Sequence, residues 1–98
     1  MLRILRTPAS RSDYEEIWTY IAVHDLAAAD RLVDQFDAAL RVIALSPRIG
    51  RKVDDLSPGL RSFPIGNYLI FYRLSGDALE VIRLVHGARD ITPEYFVD

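Results

Sequence analysis

The hydrophobic pattern of this chain changes period once, and that change restricts the fold more than any other feature of the sequence. Apolar side chains recur at helical spacing between Tyr14 and Ile43, then come from Leu60 onward in short continuous runs rich in aromatic and β-branched residues. A chain with its helices grouped ahead of most of its strands builds an α+β domain, with one layer of helices over one layer of sheet. Its 98 residues suit one domain, 1–98, with a core of modest size.

The helical half divides in two. Ser10 and Asp13 have the spacing of a capping box, and Tyr14, Ile17, Trp18, Ile21 and Ala22 follow on one face. This helix is expected to end near His24. Asp25 can cap a second helix from Leu26, in which Ala29, Leu32, Val33, Phe36, Leu40 and Ile43 keep the period until Ser46-Pro47 stops it. So short a connection implies an antiparallel helical hairpin. Trp18 is expected to lie buried between this hairpin and the sheet.

The strands bracket the helices. Leu2–Leu5 reads as a first strand, ended by Thr7-Pro8. Residues 47–59, with two prolines and two glycines, read as the longest loop. Leu60–Phe63 is a short strand, with Pro64 marking the approach to a tight turn at Gly66-Asn67. Tyr68–Leu74 and Leu79–Val85 are strands with both faces largely covered, joined by a hairpin turn at Ser75-Gly76-Asp77. The expected order is β-α-α-β-β-β, a helical hairpin on a small, mainly antiparallel sheet. In the tail, Thr92-Pro93-Glu94 can open a last helical turn anchored by Tyr95-Phe96.

Composition narrows the chemistry. There is no cysteine, which rules out disulfides and thiolate metal sites, and the two histidines, His24 and His86, would need carboxylate help to hold zinc. The N-terminal stretch is too interrupted for a signal peptide, and no apolar run approaches the ~18 residues of a membrane span, so a cytoplasmic location is expected. Net charge is only −2 but uneven, since Asp13 to Asp37 holds seven acids against Arg31 alone. That acidic helical face would repel nucleic acid. The cations are eleven arginines and a single lysine, a bias toward the better bidentate partner of carboxylate and phosphate.

The sheet half carries the candidate functional residues. Arg61, Arg73, Arg83 and Arg89 lie on the strands or just after them, and on adjacent antiparallel strands their side chains can converge. Any one of them is more often a lone arginine laid over apolar neighbours. As a group they suit a carboxylate-rich or phosphate-rich partner. His86 can act as a general acid or base near neutral pH, or be a structural histidine bonded to Asp90 or to backbone. The acid pairs Asp54-Asp55 and Glu15-Glu16 read as solvated surface, and no phosphate-binding, nucleophile-elbow or zinc motif is present. An exposed part of the helical hairpin's apolar face, which includes Trp18 and Phe36, would receive an amphipathic partner segment.

Several segments together resemble a known family. Leu60–Arg73 is similar to the central hairpin of ParE-type toxins of the RelE/ParE superfamily, and Val81–Asp90 to their last strand with its His-Gly-Ala-Arg-Asp signature. Ile17–Ala22 with Ala28–Arg31 resembles their two-helix segment, and Pro47–Arg51 the loop after it. The resemblance implies the toxin half of a type II toxin–antitoxin pair. Such a toxin is neutralised by a cognate, ParD-like antitoxin and poisons DNA gyrase by binding, without metal or cofactor and touching nucleic acid only indirectly. It implies Arg61, Arg83, His86 and Arg89 as target contacts and Trp18, Phe36 and Arg73 as antitoxin contacts. Two other readings stay open. A RelE-like, ribosome-dependent mRNA endonuclease would use Arg61, His86 and Arg89 as catalytic groups, although the lysine-rich loop of that branch is represented only by Arg51-Lys52. A non-toxic relative would still bind the antitoxin.

Overall fold

A computed structural model of the protein describes residues 2–97; Met1 and Asp98, the ends of the expected 1–98 domain, lie outside the described residues. The chain runs through β1 (Arg3–Arg6), α1 (Pro8–Ala22), α2 (Leu26–Leu45), β2 (Arg51–Lys52), β3 (Arg61–Ile65), β4 (Tyr68–Ser75), β5 (Ala78–His86) and a final 3₁₀ turn (Pro93–Phe96). This is the expected α+β order with one strand added.

The first helix starts earlier than the capping-box spacing implies. Thr7, in extended conformation, is the N-cap, and its hydroxyl oxygen accepts the Ser10 N–H at 3.1 Å. Pro8 takes the first helical position, where its fixed φ suits the helix and its missing N–H costs nothing. Ser10 and Asp13 are therefore interior residues of the helix, and both are buried. The Thr7 hydroxyl also donates to the Ile82 carbonyl at 2.9 Å, tying the start of α1 to β5. Asp25 caps α2 as expected, its carboxylate accepting the Ala28 N–H at 3.0 Å.

The sheet has the order β1-β5-β4-β3-β2. β1 lies parallel to β5, with Ile4 opposite Leu79, and the other neighbours are antiparallel. The strand that the loop reading missed is β2, two residues long, with Arg51 opposite Ser62. β3 also runs on through Pro64 to Ile65. Proline is tolerated there because β2 pairs with β3 no further than Ser62, leaving the outer edge open where Pro64 has no N–H to donate. Gly66 and Gly76 hold positive φ, +56° and +59°, in the two hairpin turns. Phe71 faces Arg83 but Tyr72 faces Val81, so Ile82 is left out of the register as a bulge.

Two clusters fill the two faces of the sheet. On the helical side, Phe36, Leu40 and Ile43 of α2 pack on Ile70, Tyr72, Leu79, Val81 and Leu84. On the other side, Val53, Leu60, Phe71 and Val85 are buried beneath Leu56, Ile91, Tyr95 and Phe96. The central strands are apolar on both faces because both faces are covered, the second by the 53–60 loop and the tail. Tyr95 and Phe96 anchor that tail, Phe96 meeting Phe71 edge-on at 4.8 Å between ring centroids.

Trp18 departs from expectation. It belongs to neither buried cluster and is only partly covered. Its indole N–H donates to Asp30 of α2 at 3.1 Å. The aromatic core position is taken by Phe36, 1% exposed, because α2 rather than α1 supplies most of the sheet-facing stripe.

Candidate functional site

The four arginines of the sheet do not converge. Arg83 reaches from β5 to Asp13 of α1, donating from Nε at 2.7 Å and from Nη2 at 2.8 Å, a bidentate pair. Its Nη1 donates to the Tyr95 carbonyl at 3.2 Å, and its guanidinium carbon stands 5.4 Å from the Tyr95 ring centroid. Asp13 also accepts the buried Leu84 N–H at 3.0 Å. The Asp13 hydrogen bond raises the Arg83 pKa above its ordinary value, against the opposing effect of burial. β1 pairs with β5 only as far as Val81, so the margin of β5 is open at Arg83, whose side chain reaches both Asp13 and Tyr95. Arg83 thus clamps helix, sheet and tail, with all three guanidinium nitrogens hydrogen-bonded within the chain.

Arg61 is also engaged within the chain. It donates from Nη1 to the carbonyls of Gly50, at 2.8 Å, and Arg48, at 3.1 Å. The same loop is held from beneath by Tyr72, whose hydroxyl donates to the Pro47 carbonyl at 2.7 Å and accepts the Gly50 N–H at 2.8 Å. Burial pushes the pKa of that hydroxyl up. A Cβ on Gly50 would come within 2.7 Å of Tyr72 Cε1 and 2.9 Å of the Ser62 carbonyl oxygen, so the approach requires glycine. Arg73 points to the helix-free side and donates to Ser57 Oγ at 2.6 Å and the Pro58 carbonyl at 3.2 Å, pinning the 53–60 loop.

Arg89 differs from these three. It is exposed, and its guanidinium has no partner among the described residues. It leaves the sheet through a turn that starts at His86. The His86 Nδ1 accepts the Ala88 N–H at 3.1 Å, so the histidine bonds backbone rather than Asp90. Around this turn, Asn67, Tyr68, Pro64 and Ala88 line a shallow depression of about 370 Å³. Of the expected target contacts, His86 and Arg89 stand close in sequence at one end of the sheet, whereas Arg61 and Arg83 are hydrogen-bonded within the chain elsewhere.

The expected antitoxin contacts are scattered too. Phe36 lies in the core between Tyr14 and Tyr68 and offers no surface. Trp18 is on the helices and Arg73 on the opposite side of the sheet. Apolar residues of the helical hairpin face solvent at its tip, where Tyr20 is 75% exposed and Val23 74% with Leu26 beside them, and again at the far end of α2, at Val42 and Leu45. The exposure of Tyr20 and Val23 is legible in the sequence, since neither falls among the stripe residues of α1. Leu26 shares the spacing of Ala29 and Val33 and is exposed because it stands in the first turn of α2, at the hairpin tip. Asp13 was missed as a functional partner of Arg83 because its spacing from Ser10 suggested a cap. Among the described residues no three His, Asp or Glu side chains are grouped as metal ligands, and no helix is long and apolar enough to cross a membrane.

The comparisons with known proteins agree with the fold. The family model for the ParE toxin of the type II toxin–antitoxin system parDE matches residues 4–91. Toxin ParE1 of Mycobacterium tuberculosis is 32% identical over 93 residues, covering 91% of this chain and 93% of that protein. Toxin RelE1 of Caulobacter vibrioides is 31% identical over 86 residues, covering 86% and 91%. Among solved structures, a chain of the chromosomal ParDE system from P. aeruginosa superposes with a TM-score of 0.74 at 16% identity, over 88% of this chain and 96% of that one. With a family model matched over residues 4–91 and a curated relative 32% identical over 91% of its length, the chain belongs to the ParE toxin family of type II toxin–antitoxin systems, within the RelE/ParE superfamily.

Proposed function

We propose that this toxin acts in the cytoplasm by binding DNA gyrase rather than by cutting RNA, and that a cognate ParD-like antitoxin neutralises it. The observation that carries this reading is the state of the groups an endonuclease would need. RNA cleavage through a 2′-hydroxyl calls for a base with a free nitrogen beside a phosphate cradle. Here the Nδ1 of His86 is occupied by Ala88 N–H, and Arg61, Arg73 and Arg83 are bonded within the chain. Arg89, at the end of the sheet, is left as a cation that can grip an acidic group on a protein target. For the antitoxin, the exposed Tyr20, Val23 and Leu26 with the partly covered Trp18 supply an apolar surface on an acidic hairpin, suited to an amphipathic segment carrying basic residues.

The test is DNA supercoiling by purified gyrase in the presence of the antitoxin-free protein. Loss of supercoiling, with cleaved DNA trapped, is the expected result. Undisturbed gyrase with growth still arrested would redirect attention to messenger RNA on the ribosome, the setting the superfamily resemblance keeps open.

A further inference from the structure

The turn that ends β5 is built so that its histidine is held by the core. His86 lies opposite Tyr68 in the sheet, and the two rings meet edge-on with centroids 5.1 Å apart. Tyr68 in turn meets Phe36 edge-on at 5.8 Å. The imidazole plane is thus set by a row of aromatic contacts that reaches the buried centre. Three backbone bonds complete the turn. Ala88 N–H donates to His86 Nδ1 at 3.1 Å, Arg89 N–H to the His86 carbonyl at 3.0 Å, and Gly87 N–H to the Asn67 carbonyl at 2.7 Å. A backbone N–H can only donate, so Nδ1 carries no proton and the neutral ring is protonated on Nε2. A side-chain acceptor that takes the N–H two residues on is the arrangement of an Asx turn, made here by an imidazole.

We propose that His86 is a positioning residue, whose neutral imidazole holds the 86–89 turn through Nδ1 and thereby presents the Arg89 guanidinium to the target. This rests on the target-binding reading above and deepens it, since it gives the two residues different roles: Arg89 makes the contact and His86 aims it. Nδ1 is the one unprotonated nitrogen of this tautomer, so with Ala88 N–H on it the ring has no free lone pair to take a proton from a substrate, and Nε2–H is left only as a donor. The proposal makes a specific demand on substitution. Asparagine, whose side-chain carbonyl reaches the same N–H two residues on, can replace the imidazole, whereas alanine cannot.

The experiment compares wild type, His86→Asn, His86→Ala, Arg89→Ala and the His86→Ala/Arg89→Ala double variant as antitoxin-free proteins in gyrase supercoiling titrations. Nitrogen-15 NMR of the imidazole and hydrogen exchange of the Ala88 amide are measured on the same samples. Arg89→Ala is expected to weaken inhibition by about tenfold or more, the loss of a charged contact. His86→Ala should weaken it by about two- to tenfold, the scale of one hydrogen bond, with faster exchange at Ala88. His86→Asn should stay within about twofold of wild type, and the double variant should be no worse than Arg89→Ala alone, because the histidine acts through the arginine. The proposal is overturned if His86→Asn is as damaging as His86→Ala, if the two alanine effects multiply, or if NMR finds Nδ1 protonated. Should wild type leave gyrase untouched, the target reading fails separately. The same five proteins compared by growth arrest, with the NMR unchanged, then decide the positioning role.

Discussion

Replacing Asp13 with asparagine tests how the protein is held together and whether Arg83 is a scaffold. The pair is mostly covered, with side-chain exposures of 25% for Arg83 and 10% for Asp13. Both guanidinium bonds to the carboxylate are short, and the same carboxylate takes the Leu84 N–H. Asparagine keeps the shape but not the charge, and in either orientation turns its amide NH₂ toward a guanidinium N–H, in one of them toward the Leu84 N–H as well. Removing one partner of a buried pair costs about 3–5 kcal/mol. Because Arg83 keeps some contact with water and its bond to the Tyr95 carbonyl, about 2–4 kcal/mol is the better figure here. Against a total stability of about 5–15 kcal/mol for a chain of this length, that is a large fraction, lowering Tm by roughly 10–20 °C. Urea unfolding followed by circular dichroism measures it directly. Replacing both partners, as Asp13→Leu with Arg83→Met, should recover part of the loss because no unpaired charge remains. A change below about 0.5 kcal/mol for Asp13→Asn would refute the clamp. So would an Arg83→Ala protein of wild-type stability that has lost only its binding to target, which would restore Arg83 to the contact surface.

Other outcomes follow from the same geometry. Gly50→Ala should destabilise the fold by about 1–3 kcal/mol, since the new methyl meets the Tyr72 ring and the Ser62 carbonyl; an unchanged urea midpoint would contradict that packing. Trp18→Ala should cost only about 1–2 kcal/mol, whereas Phe36→Ala should cost about 3–5 kcal/mol, and equal losses would mean that Trp18 is a core residue after all. Burial and the bond from its hydroxyl to Asp37 push the Tyr14 pKa up, and burial does the same to Tyr72. The folded state therefore keeps these two protons at a pH where the unfolded chain has released them. Their contribution to stability is complete below the ordinary tyrosine pKa of about 10 and is lost as pH rises through the folded values. In an ultraviolet titration Tyr14→Phe and Tyr72→Phe should each remove an ionisation that lies above the ordinary tyrosine range; loss of one at the ordinary value would contradict the assignment.

Much of the fold was readable because it is encoded locally. The period of Ala29, Leu32, Val33, Phe36, Leu40 and Ile43 marks a helix wherever it packs, and Asp25 caps it through a bond only three residues long. The misread features are those decided by neighbours distant in sequence. β2 is a strand only because β3 lies beside it, and two residues carry no periodic signal. Ser10 and Asp13 have the spacing of a cap, but Thr7 with Pro8 starts the helix a turn earlier and so places both inside the fold. The spacing of Trp18 puts it on the apolar face of α1, but the choice between it and Phe36 for the core depends on which helix faces the sheet.

By itself, the sequence determined a two-layer domain with a helical hairpin and an antiparallel meander, its kinship, and the residues in question, since hydrophobic period, turn chemistry and motif are properties of short stretches. How those residues are bonded within the chain was decided only by tertiary structure. The parallel pairing of β1 with β5 ends at Val81 and leaves the margin of β5 open for Arg83 to reach Asp13 across 70 positions of chain, and the loop over β3 and β4 takes up Arg61 and Arg73. A guanidinium is available to a partner only if nothing in its own fold reaches it first, and that is a matter of distances in space, which sequence spacing does not contain.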